Sequence, residues 1–289
     1  MSRRPQLLLA LSRLQSPPPS AARTLSTLQN VGFPVVHSPG ATPNVIYCHG
    51  LGGAYNLPLP VKTQEYVTQL KGRGFTRFQY RNVQDVSQVW HVDNWLEDLV
   101  DLLDRMYPEV GAQVIMACSA GAHAALRATI ARPEKVHSLL LLAPGVGLDL
   151  SYMDRLIPGS VRLLKQGKRV LHPAVKGGYN ACVDLQCLTD YVNSCISNSP
   201  SSIPIKCPVR VLHGKKDPIV PYQNSVNFVK KLQSNDVKLQ LLDDQGHNIQ
   251  LIPEVIGMLD DLLSKNPDRQ QEEERDEPPR QYQAHNSKL

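Results

Sequence analysis

Along the middle of the chain one hydrophobic pattern recurs: a short apolar run, a polar or glycine-containing break, then a segment with apolar residues at helical spacing. The runs are Val45-Ile46-Tyr47, Phe75 to Tyr80, Val114-Ile115-Met116, Leu139 to Leu142, Val209 to Leu212 and Leu239 to Leu242. Helical spacing falls near 58–72, 94–107, 120–132, 222–234 and 253–264. Strands without polar alternation are buried on both faces, so the pattern predicts an α/β architecture with a mostly parallel central sheet and helices on both faces. Residues 149–203 break the rhythm: they show no clear strand and are too long for an ordinary connection. A helical cap inserted there would hang over the carboxyl ends of the strands, where open α/β sheets bind ligands.

Both ends have a different composition. Residues 1–30 carry Arg3, Arg4, Arg13 and Arg23 around a short Leu-rich stretch and then a Pro/Ser/Ala segment, the composition of a disordered transit-type leader. Residues 265–289 are charged and Pro-containing, read as a disordered tail, and finish in Ser287-Lys288-Leu289, a peroxisomal address at a free C-terminus. The leader points to mitochondria and the tripeptide to peroxisomes, and import receptors at either organelle are the implied partners. The body between is read as one domain, 31–264. Residues 1–64 hold Arg3, Arg4, Arg13, Arg23 and Lys62 and no acid, so they carry the whole net charge of +5; the rest balances 26 basic against 26 acidic residues. A neutral body lacks the basic excess that nucleic-acid binding needs, and no apolar run approaches the roughly 20 residues of a membrane span. The six cysteines include no C-x-x-C pair and read as free thiols, with no metal site and no organic cofactor implied.

Candidate chemistry sits where the strands end. Val114-Ile115-Met116-Ala117-Cys118-Ser119-Ala120-Gly121 reads as strand, tight turn and helix, with Ser119 on the turn and small residues two before and two after it. Those flanks make Ser119 the nucleophile position; the same test applied to Cys118 puts the bulky Met116 at one flank. Tyr47-Cys48-His49-Gly50-Leu51-Gly52-Gly53 runs a buried strand into glycines, resembling the H-G oxyanion loop of α/β-hydrolases, in which Leu51 and Ala120 would give their amides to a developing oxyanion. Asp217 follows the strand at Val209–Leu212, and His247 follows that at Leu239–Leu242. Ser119, Asp217 and His247 therefore stand in the chain order of that fold's triad. His213 reads as packing beneath the turn that presents Asp217, His123 as a helix-face residue, and Asp243 and Asp244 as strand-end carboxylates. Asp98 and Asp101 read as facing outward on a helix.

The whole pattern resembles the α/β-hydrolase superfamily, and within it the family of abhydrolase domain-containing protein ten. The specific matches are Ile130 to Val136, Tyr179-Asn180 and Cys207 to Pro221, with likeness over roughly 40–264. The elbow Ala-Cys-Ser-Ala-Gly departs from that family's Gly-flanked serine, and the SKL tail is not a family feature. The resemblance implies a mitochondrial serine hydrolase that cleaves an ester or thioester, an acyl-protein thioesterase or an acyl-glucuronide esterase acting on an S-acylated protein or a small-molecule ester. A non-catalytic binding protein on the same fold is the alternative. Arg155, Arg162, Lys165, Lys168, Arg169 and Lys176 form a basic cap segment with no acid until Asp184; Lys168 and Arg169 are the candidate contacts to an anionic substrate.

Overall fold

A computed structural model describes residues 32–106 and 113–265. The leader and all but the first residue of the tail, including Ser287-Lys288-Leu289, lie outside the described residues. Seven strands form the main sheet: β1 (Val35–Ser38), β2 (Ala41–Cys48), β3 (Arg73–Phe78), β4 (Gln113–Cys118), β5 (Ser138–Leu142), β8 (Val209–Gly214) and β9 (Val237–Leu242). Their spatial order is β1-β3-β2-β4-β5-β8-β9, all parallel except β1, which pairs antiparallel with β3. The mostly parallel α/β sheet expected from the alternation is present. The added β1 edge strand is only Val-Val-His-Ser between two prolines, too short to register as a periodic signal.

Side chains leave each central strand alternately toward two cores. Ile46, Ile115, Leu139 and Leu141 join one, with α2 (Val92–Met106), α3 (Ala120–Ala131) and α7 (Tyr222–Val229) packed over them. Val45, Val114, Met116, Leu140 and Leu142 join the other, beneath α1 (Pro58–Glu65) and α8 (Pro253–Leu263). Burial on both faces is why these strands read as unbroken apolar runs.

The cap segment differs from its expectation in one respect. Besides α4 (Tyr152–Leu156), α5 (Ser160–Lys165) and α6 (Leu185–Asn193) it contains a second small sheet, β6 (Val170–His172) antiparallel to β7 (Ala181–Val183). Three-residue strands show too few positions for a period of two, so no strand was expected there. Asp98 also departs from its expectation. It is fully buried on α2, accepting from the Arg81 backbone amide at 2.8 Å and from the Arg81 guanidinium. Burial pushes its pKa up while the Arg81 bonds oppose the rise. The partner lies 17 residues away on another element, so helix spacing alone could not reveal it. Asp101 pairs with Arg105 one turn on, as a helix-surface residue does. No helix among the described residues is long and apolar enough to cross a membrane.

Candidate active site

The strand order sets the location. After β2 the chain passes outward to β3 and then returns to β4 on the other side of β2, so the connections leaving β2 and β4 diverge and open a crevice at their carboxyl ends. His49-Gly50 leaves β2 at one wall of this crevice, and Ser119 leaves β4 at the other.

Ser119 has φ 47° and ψ −122°, a left-handed backbone that a non-glycine residue occupies only when its surroundings enforce it. Here they do: Ser119 N donates to Leu142 O at 3.1 Å, and Ser119 O accepts from Ala122 N at 3.0 Å and Gly145 N at 2.9 Å. A side chain at Gly121 would meet the carbonyls of His49 and Cys48 at 2.5 and 2.7 Å, which is the physical reason the position two after the serine must be glycine. Ala117 lies fully buried two before, so a methyl fits where the common pattern has none.

Two loops bring the remaining polar groups to the serine. At Gly214, which ends β8, a Cβ would lie 2.2 Å from Gln245 O, and Lys216 N donates to that same carbonyl at 3.0 Å. This backbone-to-backbone approach clasps the turn after β8 to the loop after β9, and so Asp217 meets His247. His247 Nδ1 donates to Asp217 Oδ2 at 2.6 Å, and Ser119 Oγ donates to His247 Nε2 at 2.9 Å. The carboxylate can only accept, which fixes the imidazole tautomer and leaves Nε2 free to take the hydroxyl proton.

Asp217 is buried with both oxygens occupied. Oδ1 accepts from the amides of Ile219 and Val220 at 2.8 and 2.9 Å, and Oδ2 takes His213 Nε2 at 3.1 Å beside His247. Burial alone would raise its pKa, but the hydrogen bonds from His213 and His247 and the His247 charge hold it far below the ordinary carboxylate range. His213 packs beneath the turn as expected. Its Nε2–H, shared with Val220 O at 3.0 Å, gives it a second task on the carboxylate that the sequence did not disclose.

The other wall is the loop 49–53. Tyr80 N–H and Gln79 Nε2 point at His49 Nε2 from 3.4 and 2.9 Å, so that nitrogen accepts and Nδ1 carries the proton. Nδ1 donates to Gly50 O at 2.9 Å, and Gly53 N donates to the same oxygen at 3.0 Å. Burial lowers the His49 pKa to about 4, so the ring is neutral at neutral pH. In a planar trans peptide the N–H points opposite its carbonyl, so fixing Gly50 O also aims the Leu51 N–H. The loop touches the serine: a Cβ on Gly50 would lie 2.9 Å from Ser119 Cβ. Ala120 is the first residue of α3, where an amide has no intrahelical acceptor.

Ser119, Leu51, Ala120 and His247 line one cavity of about 540 Å³, walled by Leu57, Leu59, Leu148, Leu156, Ile219 and Ile249. The cap contributes Tyr152, Tyr191 and 172–176, so the inserted segment does cover the strand ends. His172 is held neutral there, its pKa lowered to about 4 by burial. Cys118 also borders the cavity, but burial raises its thiol to about 11, which leaves it protonated beside the serine. Of the basic cap residues Lys176 lines the cavity. Lys168 and Arg169 stand exposed on the turn before β6, where Arg169 donates to Ser87 O at 3.4 Å. His123 faces inward on α3, 3.3 Å from Ser194 Oγ, and Asp243 and Asp244 pair on the surface with Lys215 and Lys216.

The mouse palmitoyl-protein thioesterase ABHD10, mitochondrial, is 30% identical over 234 residues, 78% of this chain and 77% of the relative. The chain belongs to the ABHD10 family of α/β-hydrolases. The human relative of the same description is 29% identical over 239 residues, covering 78% of this chain and 74% of its own length. The solved mouse alpha/beta hydrolase domain-containing protein 10 superposes with a TM-score of 0.67 at 27% identity, over 80% of this chain and 93% of that one. Monoacylglycerol lipase of Paleococcus ferrophilus shares the fold at 14% identity, with a TM-score of 0.61 over 80% of this chain and 98% of its own. The family model described as serine aminopeptidase, S33, matches residues 185–252, a segment that includes Asp217 and His247.

Proposed function

We propose that this chain is a serine hydrolase that cleaves thioesters and carboxylic esters of acyl chains by way of a Ser119 acyl-enzyme. The observation that carries the reading is the unbroken relay of Asp217, His247 and Ser119, with links of 2.6 and 2.9 Å, opening into an apolar cavity. Ser119 Oγ attacks the acyl carbon while its proton passes to His247 Nε2, and the imidazolium is stabilised by the Asp217 carboxylate. The oxyanion is held by the Leu51 and Ala120 amides. Collapse expels the thiol or alcohol, which takes the proton from His247. Water, deprotonated by the same nitrogen, then releases the acid and restores the serine.

The likeness to the mouse and human palmitoyl-protein thioesterases supports a palmitoyl-protein thioesterase and a mitochondrial location, the location to which the Arg-containing, acid-free residues 1–30 also point. The aliphatic lining favours a lipid-like acyl group, since each buried methylene contributes about 0.8 kcal/mol to binding. Lys176 at the cavity wall gives the site a basic group suited to an anionic leaving group, and Lys168 and Arg169, exposed on the cap before β6, would add to the positive field. The test is a fluorophosphonate probe together with a panel of thioesters and esters of rising chain length, neutral and anionic. Labelling and turnover lost together in Ser119→Ala, with kcat/KM rising along the series, are expected. An unlabelled wild type, or turnover retained in Ser119→Ala, overturns the reading.

A further inference from the structure

The cap does more than cover the cavity: its 172–178 loop rests on the oxyanion loop through backbone atoms. Val175 N donates to Gly52 O at 3.0 Å. A Cβ at Gly178 would lie 2.1 Å from that same oxygen and 3.3 Å from Gly53 Cα, and a Cβ at Gly52, where φ is +79°, would lie 2.5 Å from Pro173 O. Two strands of backbone approach this closely only because neither carries a side chain at the contact.

The carbonyl that Val175 holds belongs to the same rigid peptide as the Gly53 N–H. That N–H donates to Gly50 O at 3.0 Å, and Gly50 O shares its own peptide plane with the Leu51 N–H. Two planar peptides therefore connect the cap to the amide that faces the reacting carbonyl: Val175 N–H to Gly52 C=O, Gly53 N–H to Gly50 C=O, and thence Leu51 N–H. Turning the first plane turns the second.

We infer that the cap loop sets the aim of the oxyanion-binding amide, with Val175 and Gly178 as positioning residues acting through the Gly52–Gly53 peptide. The inference rests on the reading of Leu51 as an oxyanion donor. It assigns to the cap a share in the acyl-transfer step itself, exerted on whatever acyl group or leaving group is bound.

Two variants act on the first peptide in different ways. Gly178→Ala puts a methyl where Gly52 O lies, and Val175→Pro deletes the N–H that holds it. Each should lower kcat by on the order of 10²-fold, the scale of losing one oxyanion donor, with KM changed little in Gly178→Ala, whose residue lies outside the cavity lining. A merely structural loop would not alter discrimination between an ester and its thionoester, whose sulfur fits an amide cradle poorly. With the cradle mis-aimed, the ratio of ester to thionoester turnover should fall at least severalfold. Gly159→Ala is the control: it is another cap glycine at positive φ, +80°, with nothing within 4 Å of its Cβ, and it should lose stability without changing that ratio. Wild-type kcat and ratio in both loop variants, or lowered kcat with an unchanged ratio, would overturn the inference. Turnover surviving in Ser119→Ala would instead remove the reading beneath it.

Discussion

On one side of Ser119 the site is held by side chains, and on the other by main chain. His247 and Asp217 are fixed by bonds whose donors and acceptors are imidazole and carboxylate atoms, supported by His213 and the amides of Ile219 and Val220. The Leu51 amide is fixed by carbonyls and N–H groups of Gly50, Gly53, Gly52 and Val175, with His49 the one side chain among them. The relay side depends on which side chains are present, with Gly214 a bare position where the two loops meet. The oxyanion side depends on residues that are missing a side chain, at 50, 52, 53 and 178, so that backbones can meet. At the triad residues a substitution breaks the site by subtraction, and at the glycines of the oxyanion side by addition.

The largest effect expected is on the relay. Asp217→Asn keeps the shape but cannot fix the His247 tautomer, and kcat should fall by about 10⁴-fold with KM nearly unchanged, measured by steady-state hydrolysis of one ester. His49→Phe tests the other side. The ring still packs edge-on to the stacked Tyr80 and Trp95, but Gly50 O loses one of its two donors, and kcat should drop by about tenfold to a hundredfold across all substrates. An unchanged kcat would show that the Gly53 amide suffices to orient the peptide.

Folding stability gives a separate test by pH. His49, His123 and His172 have pKa values lowered by burial to about 4, 3 and 4, so folding favours their neutral forms. A lowered histidine pKa gives stability that is full above the unfolded value near 6.5 and is lost as pH falls toward the folded one. By pH 5 the loss is about 2 kcal/mol for a fully buried histidine. Asp217, lowered as well, keeps its contribution until far lower pH. Thermal scans should show Tm falling between pH 6.5 and 5, with a shallower fall in His123→Gln. A Tm flat over that range would contradict the burial account of these rings.

The sequence disclosed the relay because its members are chemically distinctive and each follows an apolar strand. Leu51 and Ala120 followed instead from likeness to the H-G oxyanion loop, and both line the cavity with the serine. What supports them was not legible. The contact of Gly178 with Gly52 joins segments more than a hundred residues apart, and a glycine in a loop looks alike whether it turns freely or lets another chain approach. Asp98 was hidden for a related reason: helix spacing reports which residues share a face, not that Arg81 waits across from one of them. The β6–β7 pair is three residues a side, below the length at which alternation can be distinguished from accident.

The proposed reaction requires that Ser119 rather than Cys118 carry the acyl group. A rapid-quench experiment on the wild-type enzyme with a long-chain acyl thioester, followed by peptide mass spectrometry of the 113–131 region, measures this directly. The acyl mass should appear on Ser119 as a hydroxylamine-resistant ester at neutral pH and be absent from Ser119→Ala. An acyl mass on Cys118 that neutral hydroxylamine removes, with turnover intact in Ser119→Ala, would contradict it.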